Sequence, residues 1–202
     1  MECPYSGNWL CSRLPQSTRE TLCAHCSHRK YAQGQHLSEG YFAHMFVLVL
    51  DGLMAKMEID SETRRLTASG IGTGGRICSI GDLFTMPDKF ISAERTTICI
   101  TDCTFAVWDM ATVRTLFDTD IRFAQLIFEN TYVFCLKEKT LMMRDIGSGN
   151  VYSAVRYVVK RCHDDGIPQL THEQLALLCS RSRPAVTNAL HELIRREPEI
   201  FQ

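Results

Sequence analysis

The 202-residue sequence has no uninterrupted apolar run of the ~18 residues that a membrane-spanning helix needs. Its opening stretch, MECPYSGNWLCSRLPQ, shows no basic start followed by an apolar core, so no leader is expected, and the expected location is the cytoplasm with no membrane partner. An excess of one charge is also missing: 22 Lys and Arg stand against 23 Asp and Glu, for a net charge of −1. The molecule as a whole therefore offers nucleic acid no attractive field, and any DNA contact has to rest on local charge. No internal repeat, low-complexity run, Walker loop, dinucleotide fingerprint or nucleophile–base constellation occurs, and the expectation is a protein without catalysis. Cysteine, by contrast, is plentiful. Ten cysteines in a chain expected to stay in the cytoplasm read as reduced thiols that are buried or bound to metal, not as a disulfide scaffold.

With 45% hydrophobic and 22% charged residues the chain can bury a core. Its pattern changes twice. STRETLCAHCSHRKY predicts a short helix, with Ser17 and Glu20 as a capping box and Leu22, Cys23 and Cys26 on one face. From about Tyr41 the period shortens: FVLVL, then Asp51-Gly52, then LMAKMEI predicts two strands joined by a tight hairpin. Leu53, Ala55, Met57 and Ile59 alternate with Met54, Lys56 and Glu58 as in a half-buried strand. Glycines at 70, 72, 74, 75 and 81, then RTTICI and CTFAVW, extend the β pattern to Trp108, so residues 1–108 form an N-terminal β domain with a leading helix. Helical periodicity over 109–146 predicts one long helix. Phe123, Ile127, Phe134 and Leu141, with Asn130 and Lys137 between them, form a seam that packs either on the β domain or on a second chain, where Asn130 sets the register. IGSGN then reads as a hinge into a third unit, residues 147–202.

That unit holds the most informative stretch, LTHEQLALLCSRSRPAVTNALHEL. Thr171 and Gln174 form a capping box for a helix with Leu175 and Leu178 inward; Ser182 caps a second helix, in whose first turn Pro184 loses only a donor that is unpaired anyway. Val186, Leu190 and Leu193 give the second helix an apolar face, and Arg183, Thr187, Asn188 and His191 occupy the other. Two such helices make either a plain helical hairpin with solvated arginines or a helix-turn-helix, whose second helix presents its first turn to a DNA major groove. In the latter, Arg183 matches the two acceptors of guanine, Asn188 matches adenine, Ser182 and Thr187 hold phosphates, and Arg181 and Ala185 complete the contact set. From Ile146 onward seven Lys or Arg meet six Asp or Glu, which adds little local field.

The order of these parts resembles the bacterial Crp/Fnr superfamily of transcription regulators, on the helix-turn-helix stretch supported by VLDGLMAKMEI and DIGSGNVYSAVRYVV. The resemblance implies an α+β fold: a cyclic-nucleotide-binding-like β jelly roll that takes an effector, a long dimerisation helix, and a winged helix-turn-helix. It further implies a homodimer on a palindromic double-stranded operator, in contact with RNA polymerase. Where the family's cyclic-AMP site carries Gly-Glu and Arg-Ser, this chain carries Gly75-Arg76 and Ala93-Glu94, and a carboxylate at Glu94 repels a cyclic phosphate, so cyclic AMP is not the expected effector. Pro184 and Asn188 replace the usual Glu and Arg, Ser180 stands where glycine is common, and EIFQ leaves room for at most one wing strand.

Cys3, Cys11, Cys23 and Cys26 are the candidate ligands for an iron–sulfur cluster or zinc, set against core packing or thiol sensing. Their spacing differs from the tight run of the family's oxygen sensors, so a cluster is not favoured. Cys78, Cys99, Cys103, Cys135, Cys162 and Cys179 read as core, and His25, His28 and His36 are given no role. The alternative function is a ligand-binding or thiol- and redox-sensing module whose helix-turn-helix no longer binds DNA.

Overall fold

The computed structural model describes residues 7–42, 44–59, 66–80, 83, 95–132, 136 and 139–201. Its strands are β1 (Ser27–Tyr31), β2 (His36–Ser38), β3 (Met45–Asp51), β4 (Met54–Ile59), β5 (Leu66–Gly72), β6 (Ile77–Ile80), β7 (Arg95–Cys99) and β8 (Cys103–Asp109). Helix α1 (Gln16–Ala24) precedes them; α2 (Met110–Thr119), α3 (Ile121–Tyr132), α4 (Lys139–Asp145), α5 (Val151–Asp164), α6 (His172–Cys179) and α7 (Arg183–Arg196) follow. Two antiparallel four-stranded sheets, ordered β1-β8-β3-β6 and β2-β7-β4-β5, face one another as a jelly roll.

FVLVL is apolar without interruption because both faces of β3 are covered. Val47 and Val49 point into the roll with Tyr31, Phe42 and Phe105, while Phe46 and Leu48 pack outward against Trp108, Val113, Phe123 and Leu126. The second sheet is sandwiched in the same way. Met54 points inward, and Ala55, Met57 and Ile98 face Ile146, Val155, Leu178 and Leu193 of the C-terminal helices.

Several sequence expectations are corrected. β3 and β4 are not a hairpin: β3 pairs with β6 and β8, β4 with β5 and β7, and the chain crosses from one sheet to the other at Gly52, φ +87°. Ser17 does not cap α1, whose N-cap is Pro15 without a side-chain bond; Gln16 and Glu20 pair with each other instead. The long helix is broken at Asp120, whose carboxylate accepts from the N–H groups of Arg122 (2.9 Å) and Phe123 (3.1 Å) and from the Thr18 hydroxyl. After α7 the chain makes a 3-10 turn, Pro198–Phe201, with Ile200 buried, and among the described residues no wing strand follows. The break at 146–150 is present, with Asn150 capping α5 through Ser153 N (3.2 Å) and Gly149 at φ +81°.

The two capping aspartates set an acid limit. Asp109 is held below the usual carboxylate range by the Thr112 N–H, and Asp120 chiefly by the Thr18 hydroxyl. A folded pKa below the unfolded value means that the stabilisation is complete above about pH 4 and is lost as pH falls through the folded value. The melting temperature of Asp120→Asn should therefore fall less than that of the parent between pH 7 and pH 3. An equal fall in both proteins would show that Asp120 contributes nothing to the acid limit.

Candidate nucleic-acid interface

Short-range chemistry builds the turn between α6 and α7. Thr171 Oγ1 accepts from Gln174 N (3.2 Å) and Gln174 Oε1 accepts from Thr171 N (2.7 Å), the capping box read from the sequence. Leu175, Leu178, Val186, Leu190 and Leu193 are all buried. Ser180 ends α6 in the left-handed region at φ 53°, where its N–H reaches Ala176 O and Leu177 O, and its hydroxyl is buried without a partner among the described residues. Glycine removes both the Cβ strain and the unmet hydroxyl. Ser180→Gly is therefore expected to stabilise by about 1 kcal/mol, or a rise of roughly 2–4 °C in Tm. An unchanged or lower Tm in differential scanning calorimetry would contradict this.

Ser182 is the N-cap of α7 with Pro184 in its first turn, and the Ser182 hydroxyl makes no cap bond. Ser182, Arg183, Asn188 and His191 are exposed along one side of α7, and Ala185 and Thr187 are half-buried. Arg183 meets Glu173 at 3.0 Å with both side chains about two-thirds exposed, at 65% and 63%. An ion pair in that setting is worth under ~1 kcal/mol, so the guanidinium exchanges readily to another acceptor. Thr187 Oγ1 lies 2.9 Å from His172 Nδ1, which ties α7 to the start of α6. Arg181 is turned away from this row: its guanidinium donates to Ser180 O and to Ile146 O, each at 3.1 Å. It braces the turn against the hinge, a contact that no local pattern foretells.

Cys11 is buried beside Asn8, whose Nδ2 donates to its sulfur at 3.3 Å; Cys23 is exposed rather than on the apolar face of α1; Cys26 lies past the end of that helix. Cys3 and Glu94 lie outside the described residues, among which no three His, Cys, Asp or Glu converge as a metal site. Gly75 adopts φ +86° in a tight turn against Trp9, and Arg76 beside it is buried.

The seam expected on the long helix has a different phase. Phe123 and Ile127 are fully buried on the chain's own first sheet, and Asn130, 2% exposed, accepts from Ile77 N. Asn130 therefore fastens α3 to β6 and does not face a second chain. Phe134 and Lys137 lie outside the described residues. Among the described residues from 121 to 145, the exposed large apolar side chains are Ile121, Phe128, Tyr132, Leu136 and Met143, at steps of seven, four, four and seven. Phe128 and Tyr132 stack with ring centroids 6.1 Å apart.

No family model matches the sequence, and no curated protein matches it. Solved structures do match the fold. A transcriptional regulator of the Crp/Fnr family from Eubacterium rectale superposes with a TM-score of 0.66 at 12% identity, over 92% of this chain and 86% of that one. The fold is that of the Crp/Fnr regulators. The c-di-GMP-responsive regulator CLP of Xanthomonas campestris shares the Crp/Fnr fold with this chain at TM-score 0.64 and 18% identity, over 90% and 92% of the two chains. A cyclic-nucleotide-binding-domain protein of Listeria monocytogenes gives 0.65 at 11% identity, over 87% and 85%. In this Crp/Fnr fold α6 and α7 are the helix-turn-helix, and no helix among the described residues is long and apolar enough to cross a membrane.

Proposed function

We propose that this protein is a Crp/Fnr-type transcription regulator, a homodimer that binds a palindromic operator and answers to an effector or redox signal other than cyclic AMP. The observation that carries the reading is the N-terminal part of α7, which leaves its N-cap Ser182, Arg183 and Asn188 exposed together on a helix whose opposite face is buried. Arg183 reads guanine, Asn188 reads adenine, and Ser182 with the open N–H groups of α7 holds phosphate. Thr187 and Ala185, half-buried, border that surface, and Arg181 acts on it by positioning the turn. The apolar row from Ile121 to Met143 pairs two chains, so that two α7 helices meet successive major grooves about 34 Å apart. RNA polymerase is the partner that a regulator on its operator then engages.

The test selects a duplex from a random pool and measures its affinity by fluorescence anisotropy. A palindrome should be enriched, with affinity falling steeply as salt rises. Arg183→Ala should lose about 1–3 kcal/mol on that duplex and relax the choice at one base pair. Equal weakening on every duplex would reduce Arg183 to a phosphate contact. Failure to enrich any sequence would favour a sensing module without DNA binding.

A further inference from the structure

The first turn of α6 reaches across to the start of α7 at two points. Glu173 Oε1 lies 3.0 Å from Arg183 Nη1, and His172 Nδ1 lies 2.9 Å from Thr187 Oγ1. Arg183 and Thr187 are four residues apart and share one side of α7, and the two residues that meet them are neighbours in the chain. The start of α6 is itself anchored. The Thr171–Gln174 box caps it, and Glu173 sits at the positive end of the helix, where a carboxylate is favoured. A negative charge on an anchored helix end therefore stands beside the arginine that heads the exposed row of α7.

Glu173 meets Arg183 from the Nη1 side. A guanidinium carries its N–H donors in a rigid plane, and among the described residues Nε and Nη2 of Arg183 donate no hydrogen bond. Those two donors point the same way and match O6 and N7 of guanine, so Arg183 can read a base without leaving Glu173. An arginine on its flexible stem otherwise finds two kinds of acceptor on DNA, base edges and phosphates, and phosphates and sugars take half or more of the hydrogen bonds. A carboxylate beside Nη1 repels a phosphate but not the uncharged edge of guanine. In solvent the pair is weak. In a groove that sheds water the same contact strengthens, because the effective dielectric falls.

We propose that Glu173 is the positioning residue that makes Arg183 a reader of guanine rather than a phosphate contact, and that it thereby sets the specificity of the helix-turn-helix. This role rests on the regulator reading above. The carboxylate holds Nη1, turns the Nε and Nη2 donors toward the base edges, and lowers affinity for a duplex that offers only phosphates. His172 keeps α7 in the same phase through Thr187.

The test is fluorescence anisotropy of the full-length chain over a range of salt concentrations. It uses the palindromic duplex that the parent selects, that duplex changed at the base pair that Arg183→Ala relaxes, and a scrambled duplex of the same length. In Glu173→Ala, discrimination at that base pair should fall about ten-fold. Affinity for the scrambled duplex should rise, and its salt dependence should steepen by about one phosphate contact. Glu173→Gln, whose amide oxygen still reaches Nη1, should keep the base preference while binding the scrambled duplex as tightly as Glu173→Ala does. Adding Glu173→Ala to Arg183→Ala should cost no further discrimination. The Glu173 side chain is 63% exposed, so both Glu173 variants should melt with the parent in calorimetry. An equal change on all three duplexes overturns the proposal, and so does a Gln variant that discriminates no better than the Ala variant. A loss of discrimination that persists without Arg183 overturns it too. A parent that selects no duplex brings down the regulator reading and this role with it, whereas a parent that selects one, with discrimination unchanged in Glu173→Ala, brings down the role of Glu173 alone.

Discussion

Replacing Phe128 and Tyr132 together by glutamate is expected to make the protein monomeric and to weaken operator binding by about 100-fold or more. Both rings are mostly exposed, at 65% and 58%, so the charges cost the folded monomer little. In the proposed dimer the same positions would lie against a second chain, where buried carboxylates facing their copies repel and lose hydration. Losing the second α7 removes the intramolecular advantage of the second half-site, which is worth about 10²–10⁴ in affinity. Sedimentation equilibrium should show a halved mass with an unchanged far-ultraviolet spectrum, and anisotropy should show the loss on the palindrome. A double variant that still sediments as a dimer would remove this row from the interface. Phe123→Glu makes the contrast: at 0% exposure its carboxylate enters the core against Phe46, and the expected result is unfolding.

Gly52→Ala is expected to cost about 3–5 kcal/mol, enough to threaten the whole fold. At φ +87° any Cβ is strained, and here it would lie 2.1 Å from Asp102 O and 3.0 Å from the Cys103 Cα and Sγ atoms. The obstruction is backbone at the entry to β8, which pairs with β1 from Cys103 and with β3 from Thr104, so relief requires moving that end of β8. Gly34 provides the comparison. Its φ is +80° but nothing lies within 4 Å of its Cβ position, so alanine there bears only the conformational cost of about 1 kcal/mol. Urea midpoints of the two variants separate the effects. Equal midpoints would mean that the crossing at Gly52 yields without resistance.

The helix-turn-helix was largely legible in the sequence because its determinants lie within four residues of one another. The Thr171–Gln174 box, Ser182 before Pro184, and the inward leucines each follow from helix geometry and an unpaired N–H, and each is where spacing places it. Alternation along β4 was legible for the same reason, since a strand turns its side chains by turns to opposite faces. The seam of α3 was not. Phe123 and Ile127 on one side and Ile121, Phe128 and Tyr132 on another are both apolar, and periodicity cannot say which of them the outer face of β3 and β8 will take.

What the sequence determined by itself was therefore local: where helices start, which residues alternate, where glycine turns the chain. The tertiary structure decided which surfaces those elements meet. It put β3 and β4 in different sheets, turned Asn130 inward to Ile77, and drew Arg181 back to Ile146. Those outcomes depend on partners tens of residues away, matched by shape and by unmet hydrogen bonds, and no short-range pattern in a chain encodes them.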